Sequence, residues 1–341
     1  MRFPTLRRAR FPLVLLALVA VLLVGLPPAS AQLDQIAGPH SPAAKDQVQI
    51  YRDEPGTIAG RTEFPDKKLA VFVQPEGREW RTFRVVALRI IAGVLIVGTA
   101  LALLAFYAWR GTIRIGHGRA GTTVPRFNGF ERGVHWMTSA SFILLALSGL
   151  NITFGRALLL PLIGPEAFTT WSQYAKYAHN YLSFPFAIGV ITIFAIWIAG
   201  NIPNRVDVEW LKRGGGIIGH DHPPAYRFNA GQKAIFWIQS LGGLAMLISG
   251  YLLMFPFYGT DIASMQTAQM FHAVIAMLYV AVMIAHIYIG TIGMEGAFEA
   301  MGSGEVDYNW AREHHSLWLD EEMARTGPHQ SQPQPLATPA E

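Results

Sequence analysis

Five long apolar runs constrain the fold of this chain more than any other feature of its sequence. A helix needs about 20 predominantly apolar residues to cross the hydrocarbon layer of a bilayer. Within that layer only helices and closed barrels satisfy their own backbone hydrogen bonds, and runs of this length favour helices. We therefore predict an all-α integral membrane protein with five transmembrane helices in the mature chain. The predicted spans cover about residues 83–109, 134–154, 178–199, 234–255 and 270–293.

The composition agrees with a membrane class and excludes several kinds of chemistry. Of the 341 residues, 51% are hydrophobic and only 15% are charged. The chain has no cysteine, which excludes iron–sulfur clusters, disulfides, covalently attached c-type haem and thiol catalysis. The net charge of +4 is modest, and the Lys and Arg residues are spread along the whole chain. We interpret this basicity as membrane topology and expect no nucleic-acid partner.

The first 31 residues have the pattern of a secretory signal peptide. Basic residues precede an apolar run over residues 11–26, and Ala29-Ser30-Ala31 follows as the expected cleavage site. An uncleaved anchor helix is the alternative. Residues 32–82 are polar, balanced in charge and rich in proline. This segment is too short and too hydrophilic for a substantial core, and we predict a small extracytoplasmic extension.

The distribution of positive charge predicts how the spans are oriented. The loops over residues 110–133 and 201–233 each hold five Lys or Arg residues, whereas the loops after the second and fourth spans hold two and none. The positive-inside rule therefore places both basic loops and the tail, residues 301–341, in the cytoplasm. The mature N-terminus then lies in the periplasm. Residues 83–109 form an extra transmembrane helix, and residues 110–300 form a four-helix domain.

Four histidines fall near the ends of the predicted spans at matching depths. His272 and His286 are 14 residues apart, which places them about 21 Å apart along a helix and on one face of it. The predicted topology puts His135 at the cytoplasmic level of His286, and His179 at the outer level of His272. A single histidine at a span end is usually interfacial or hydrogen-bonded, whereas two depth-matched pairs indicate a function.

Paired neutral imidazoles are the axial ligands that low-spin haem iron uses in electron transfer. The apolar walls of a helical bundle exclude water and hold porphyrin rings between helices. We therefore predict two haem b groups, one at each histidine pair, in a dihaem cytochrome b bundle formed by the last four helices. Gly149, Gly189, Gly242 and Gly243 either make room for the porphyrins or serve helix packing.

Several short motifs in this part of the chain point to one family. They read FERGVHW at 130–136, FILLALSGL at 142–150, NIPN at 201–204, RFNAGQK at 227–233, MFHA at 270–273, IAHIY at 284–288 and WAREHHSLW at 310–318. Together they resemble the membrane cytochrome b (gamma) subunit of respiratory formate dehydrogenases. The resemblance covers about residues 125–319.

The resemblance implies that His135, His179, His272 and His286 bind two b haems. It also implies partners, namely a catalytic (alpha) subunit with a molybdenum or tungsten cofactor and an iron–sulfur (beta) subunit that donates electrons at the outer haem. The electrons then pass to the inner haem and to quinone, in the inner membrane of a bacterium. Asn180 departs from the family pattern, which usually has proline after the third-span histidine.

Asn229 and Gln232 lie directly before the fourth span, at the level of His286. Quinone reduction needs hydrogen-bond donors to the carbonyls and a route for protons, and Asn229 aligns with the quinone-contacting asparagine of the family. We predict that Asn229 and Gln232 hold the quinone head group; the alternative is that this run only caps the span. Arg126 and Arg132 are candidates to pair with the propionates of the inner haem, although positive-inside residues need no such role.

Three features towards the C-terminus carry weaker expectations. The acidic tail around His314-His315 is interpreted as a docking surface for the iron–sulfur subunit, with a solvated tail as the alternative. His220-Asp221-His222 has a metal-like pattern, but a short loop pair without further ligands is usually solvated. From residue 326 onward the Pro, Gln and Ala content predicts disorder.

Two other functions fit the same sequence. One is the cytochrome b subunit of another quinone-linked dehydrogenase, such as a hydrogenase or a thiosulfate or polysulfide reductase. The other is a haem-free membrane anchor or transporter whose histidines carry protons, which a reduced-minus-oxidised spectrum distinguishes from a cytochrome. We predict an electron-transfer subunit of formate dehydrogenase that reduces quinone and does not itself oxidise formate.

Overall fold

The computed structural model of the protein describes residues 77–216, 222–256 and 258–326. The predicted signal peptide, residues 1–31, lies outside these ranges, and so do residues 32–76 of the predicted extension. The segment from 327 to 341, for which the composition predicts disorder, also lies outside them.

Helices dominate the described residues. They are α1 (Glu79–Arg110), α2 (Gly129–Leu158), α3 (Leu160–Trp197), α4 (Arg205–Lys212), α5 (Ala230–Met254), α6 (Ile262–Gly293), α7 (Glu299–Gly302), α8 (Tyr308–His314) and α9 (Ser316–Thr326). Two short strands, β1 (Thr123–Pro125) and β2 (Glu305–Asp307), pair antiparallel. Among the described residues, α1, α2, α3, α5 and α6 are long and apolar enough to cross a membrane. The predicted all-α membrane fold with five spans is confirmed.

Two of these helices begin well before their predicted starts. α6 begins at Ile262, where the Asp261 side chain caps its first turn, whereas the apolar run predicts a start at residue 270. α3 begins at Leu160 and is interrupted by a kink at Gly164, whose φ is 77°. Most of the predicted loop over residues 155–177 is therefore helical. Hydropathy marks the part of a helix that matches the hydrocarbon layer, and it misses the turns that continue beyond that layer.

Small residues bring the spans of the bundle into close contact. α2 packs along α3, and α5 packs against both α3 and α6. A Cβ atom at Gly189 of α3 would overlap the Thr138 hydroxyl of α2, and one at Gly243 of α5 would lie 2.9 Å from Val190 of α3. These two glycines therefore serve helix packing, one of the two roles that the sequence left open.

The extra helix α1 lies against α6 on the outside of the bundle. Leu88 and Ala92 of α1 are buried against Met277 of α6. Near the start of α1, the Trp80 indole N–H donates to the Gln269 side-chain oxygen at 3.0 Å. α1 contains two π-helical segments, Phe83–Ala87 and Gly93–Val97.

The loops at one end of the bundle, where α2 begins and α3 ends, fold into a compact cluster. We call this the His135 end, and the opposite one the His179 end. β1, from the loop after α1, pairs with β2, and α8 and α9 pack beside them. Val306 and Leu319 are fully buried, and Trp310 is 3% exposed. Residues 305–319 of the predicted tail therefore share one hydrophobic core with the loop residues that precede α2.

Candidate functional site

Two pairs of histidines lie between the helices, one at each level of the bundle. His135 of α2 faces His286 of α6, with ring centroids 6.4 Å apart. His179 of α3 faces His272 of α6, with centroids 6.3 Å apart. The structure thus brings together the same two pairs that the predicted topology joins by depth.

The spacing within each pair fits a single metal atom between two imidazoles. Half of a 6.3–6.4 Å separation is about 3.2 Å. A metal–imidazole bond of about 2 Å, plus about 1.1 Å from the ring nitrogen to the ring centre, accounts for that length. Both pairs also lie among apolar helices, as a haem requires.

Hydrogen bonds orient the imidazoles of the His179–His272 pair. The Ser249 hydroxyl donates to the Ala245 carbonyl at 2.7 Å, so its oxygen is left to accept from Nδ1–H of His272 at 2.8 Å. Nδ1–H of His179 has two acceptors, Ser148 Oγ at 2.9 Å and the Leu145 carbonyl at 3.1 Å. With the proton on Nδ1, Nε2 of each ring keeps its lone pair for a metal, which is the usual arrangement of a ligating histidine.

A glycine follows each of these serines and makes space for the imidazole that the serine binds. A Cβ atom at Gly149 would lie 3.2 Å from Cε1 of His179, and one at Gly250 would lie 3.5 Å from Cε1 of His272. Sequence reasoning missed the roles of Ser148, Ser249 and Gly250. A repeated Ser-Gly dipeptide, at 148–149 in α2 and 249–250 in α5, is the signal that would have found them.

The His135–His286 pair lies nearer the loop cluster. The Trp136 ring packs edge-on against His135 at 5.3 Å, and its indole N–H donates to the Met301 carbonyl at 2.8 Å. Nδ1 of His135 is buried and has no hydrogen-bond partner within the described residues. The neighbouring segment around Met301 thus helps to fix the beginning of α2.

Asn229 and Gln232 cap α5. The Asn229 side-chain oxygen accepts from the Gln232 amide at 2.9 Å, and the Gln232 side-chain oxygen accepts from the Asn229 amide at 3.1 Å. This reciprocal capping box is the alternative that the sequence left open. Because the cap uses both side-chain oxygens, the two NH₂ groups are not part of it. The predicted quinone role of both residues stays a prediction.

Arg126 lies inside the loop cluster. It is 4% exposed, its Nη2 donates to the Arg227 carbonyl at 2.6 Å and lies 3.0 Å from Nε2 of His315, and the Trp318 ring stacks on it. Burial, with a smaller contribution from the charge of Arg227, lowers the pKa of Arg126 to about 9. Arg132 donates to the Gly302 carbonyl at 2.8 Å. Nε and Nη1 of Arg126 and Nε of Arg132 are buried and have no hydrogen-bond partner in the described part of the chain, so the pairing of these arginines with haem propionates stays a prediction.

The histidines of the C-terminal segment are buried. His314 is 7% exposed and His315 is fully buried, so this part of the tail is packed and not solvated. The interpretation of the acidic tail as a docking surface stays a prediction. The packing of α8 and α9 against the loop residues hides both histidines, and this packing has no signature in local charge. Burial lowers the pKa of His314 to about 4, and burial also lowers that of His315.

His220 and Asp221 lie outside the described residues, whereas His222 is described. Within the described ranges no group of three or more potential ligands is close enough to hold a metal ion. His222 instead lies beside the nearly buried Glu313 carboxylate, with Nε2 3.9 Å from it. Burial alone raises the pKa of Glu313, but hydrogen bonds from the Gly116 and His117 amides and the His117 ring bring it below its usual range.

Apolar spans that hold imidazole pairs at two levels define a membrane cytochrome of the b type. The chain belongs to the prokaryotic cytochrome b561 family, whose profile matches residues 126–304. Membership implies a haem b cofactor. α1 precedes the matched region.

Similar proteins include the formate dehydrogenase cytochrome b556(fdo) subunit of Escherichia coli K12. It is 31% identical over 204 residues, which cover 58% of this chain and 93% of that protein. The nitrate-inducible formate dehydrogenase cytochrome b556(Fdn) subunit of the same strain is 25% identical over 203 residues, covering 58% and 91%. The formate dehydrogenase cytochrome b556 subunit of Haemophilus influenzae is 25% identical over 211 residues, covering 59% and 84%. These similarities confirm the resemblance drawn from the motifs.

Proposed function

We propose that this chain is the cytochrome b subunit of a membrane-bound formate dehydrogenase complex, carrying electrons across the membrane to quinone. The observation that carries the proposal is the pair of imidazole sites, one at each level of a four-helix bundle. The similarity to three formate dehydrogenase cytochrome subunits supports the choice of complex. In this proposal the chain does not itself oxidise formate.

Each histidine pair holds one haem b in this proposal. His135 and His286 would bind one iron, and His179 and His272 the other. Bound haem supplies a one-electron iron couple at each level. The Ser148 oxygen accepts a hydrogen bond from Nδ1–H of His179, which leaves Nε2 available to bind a metal, and the Ser249 oxygen does the same for His272. Apolar side chains pack between the two levels, and apolar helical walls would exclude water from a bound haem.

Quinone would bind at the His135 end, beside the first turn of α5. The two NH₂ groups of Asn229 and Gln232 are hydrogen-bond donors that the capping box does not use. We propose that they donate to a quinone carbonyl and orient the head group. Protons for the reduced quinone would come from solvent at this end.

The positive-inside argument supports the orientation that we propose for the complex. The mature N-terminus lies in the periplasm and the C-terminus in the cytoplasm of a bacterial inner membrane. An iron–sulfur (beta) subunit, fed by a molybdenum or tungsten catalytic (alpha) subunit, then delivers electrons at the His179 level. The domain organisation that we propose is the one predicted from the sequence, with a signal peptide at 1–31, an extension at 32–82, an extra helix at 83–109, the dihaem domain at 110–300 and the tail at 301–341. The extra helix α1 itself begins at Glu79, within the predicted extension.

Haem quantification of single-histidine variants tests the proposal. The wild-type protein is expected to contain two b haems by pyridine haemochrome assay, to be reduced by formate, and to copurify with a molybdopterin or tungstopterin protein. His135→Ala and His286→Ala should lose the same haem, and His179→Ala and His272→Ala the other. A haem-free wild type would make the chain an anchor or transporter. Reduction by hydrogen in place of formate, or reoxidation of the reduced haems by thiosulfate or polysulfide, would assign it to another quinone-linked enzyme.

Asn229→Asp separates quinone binding from helix capping. Asp is as good an N-cap as Asn, so this variant keeps the cap and removes the NH₂ donor. Quinone reduction should fall while both haems remain reducible by formate. Asn204, which caps α4 with the same reciprocal geometry, supplies the control, and Asn204→Asp should leave turnover unchanged. Equal turnover in the wild type and Asn229→Asp would remove Asn229 from the site.

A further inference from the structure

An aromatic residue lies seven positions from every one of the four histidines. Seven residues are nearly two helical turns, about 10.5 Å along the axis and close to the same face. The aromatic residues therefore share the faces of the histidines and lie about half-way between the two levels. They are Phe142, seven after His135; Phe186, seven after His179; and Tyr279, midway between His272 and His286.

The three rings meet in the interior of the bundle. Ring centroids are 5.1 Å apart between Phe142 and Tyr279, 6.3 Å between Phe142 and Phe186, and 6.4 Å between Phe186 and Tyr279. Tyr279 is 4% exposed and Phe186 is 5% exposed. We call this closed triangle of rings the aromatic layer. Met246 and Leu247 of α5 pack against the same cluster, so all four helices of the bundle contribute to it.

Polar side chains line the interior on both sides of the aromatic layer. Thr138 and Gln239 are buried towards the His135 end, and the Gln239 side-chain nitrogen has no partner within the described residues. Ser148 and Ser249 are buried towards the His179 end. Water enters buried sites where polar groups bind it and avoids apolar ones. The aromatic layer thus lies between two sets of buried polar side chains and separates them by apolar rings.

We propose that the aromatic layer is a septum that keeps water and protons from passing between the two haem sites. The inference rests on the proposed function, in which electrons cross the membrane between these sites and a proton leak would dissipate the resulting gradient. The septum takes no chemical part, because no bond forms or breaks in it. The Tyr279 hydroxyl donates to the Gln239 carbonyl at 3.3 Å.

Proton leak through the haem-loaded full chain in liposomes tests the septum. Vesicles carry a pH-sensitive dye inside, and a potassium gradient with valinomycin drives proton entry without any electron donor. Tyr279→Ser replaces the ring by a hydroxyl beside Gln239, so the space should hydrate and the vesicle interior should acidify faster than with wild type. Tyr279→Phe keeps the ring, and the vesicle interior should acidify no faster than with wild type. Phe142→Ser tests a second wall of the layer.

Met277→Ser is the matched control. Met277 is two residues from Tyr279 on the same helix and is equally buried, at 3% exposed, but it packs against α1 outside the bundle interior. This variant should stay proton-tight. The proposal is overturned if Tyr279→Ser and Phe142→Ser keep both haems and leak no faster than Met277→Ser. Haem content is measured on the wild type and on every variant. A wild type without haem would contradict the proposed function, whereas the comparison of leak rates tests the septum separately.

Discussion

Replacing Ser249 with alanine should weaken haem binding at the His179–His272 pair more than replacing Ser148 does. The two serines make similar contacts, 2.8 Å from Nδ1 of His272 and 2.9 Å from Nδ1 of His179. The two histidines differ in the hydrogen-bond acceptors that remain once the serine side chain is truncated. His179 keeps the Leu145 carbonyl at 3.1 Å as an acceptor, whereas no second acceptor for His272 is present among the described residues.

The expected magnitudes follow from that difference. A buried donor left without an acceptor costs about 1–3 kcal/mol, whereas losing one of two acceptors costs about 0.5–1.5 kcal/mol. Since about 1.4 kcal/mol is a factor of ten, Ser249→Ala should weaken haem binding about 5- to 150-fold. Ser148→Ala should weaken it by about 2- to 12-fold on the same scale.

Haem transfer to an excess of a soluble apo-haem protein measures the effect. The loss rate of the haem at this pair is followed by its absorbance, and the haem at the His135–His286 pair serves as the internal reference. The midpoint potential of the haem at the His179–His272 pair is a second readout. Removing the hydrogen-bond acceptor weakens the imidazole as a donor to ferric iron, so this potential should rise. Ser249→Thr keeps the hydroxyl and should restore both values. Equal losses in Ser148→Ala and Ser249→Ala, or equal losses from both pairs, would refute the assigned hydrogen bonds.

Three further predictions concern stability. Asp207→Ala leaves the buried Lys233 ammonium without its carboxylate partner at 2.8 Å, and the free energy of unfolding should fall by about 3–5 kcal/mol. Adding Lys233→Met removes the unpaired charge and should recover most of that loss, which thermal unfolding in detergent measures. The pKa of His314 falls from 6.5 in the unfolded chain to about 4 in the folded one. The unfolded chain therefore binds more protons between those values, and stability is lost as the pH falls from 6.5 to 4. Proteolysis of residues 299–326 should accelerate across that window, and less so in His314→Leu. Gly189→Leu should destabilise the α2–α3 contact by about 1–3 kcal/mol or more through overpacking. Thermal unfolding of the haem-free protein should therefore occur at a lower temperature than in wild type.

The transmembrane helices and the depths of the histidines could be predicted from the sequence because a bilayer permits few backbone structures. Backbone groups in hydrocarbon must bond within helices, so apolar run length predicts α1, α2, α3, α5 and α6. Alternating spans then fix which ends share a depth. That reasoning alone joins His135 to His286 and His179 to His272, and the short motifs predict the family.

Contacts between side chains on different helices needed the tertiary structure. Hydropathy does not fix how each helix is rotated about its axis, and that rotation decides that Ser249 meets His272 and that Tyr279 closes a layer with two phenylalanines. The same limit explains the C-terminal segment, whose charge is compatible with a solvated tail although Leu319 and His315 are buried against loops from much earlier in the chain. The sequence determined the depth of each residue in the membrane, because depth depends on the transfer of apolar residues from water. The tertiary structure determined which side chains are in contact, because those contacts depend on the complementary shapes of packed helices.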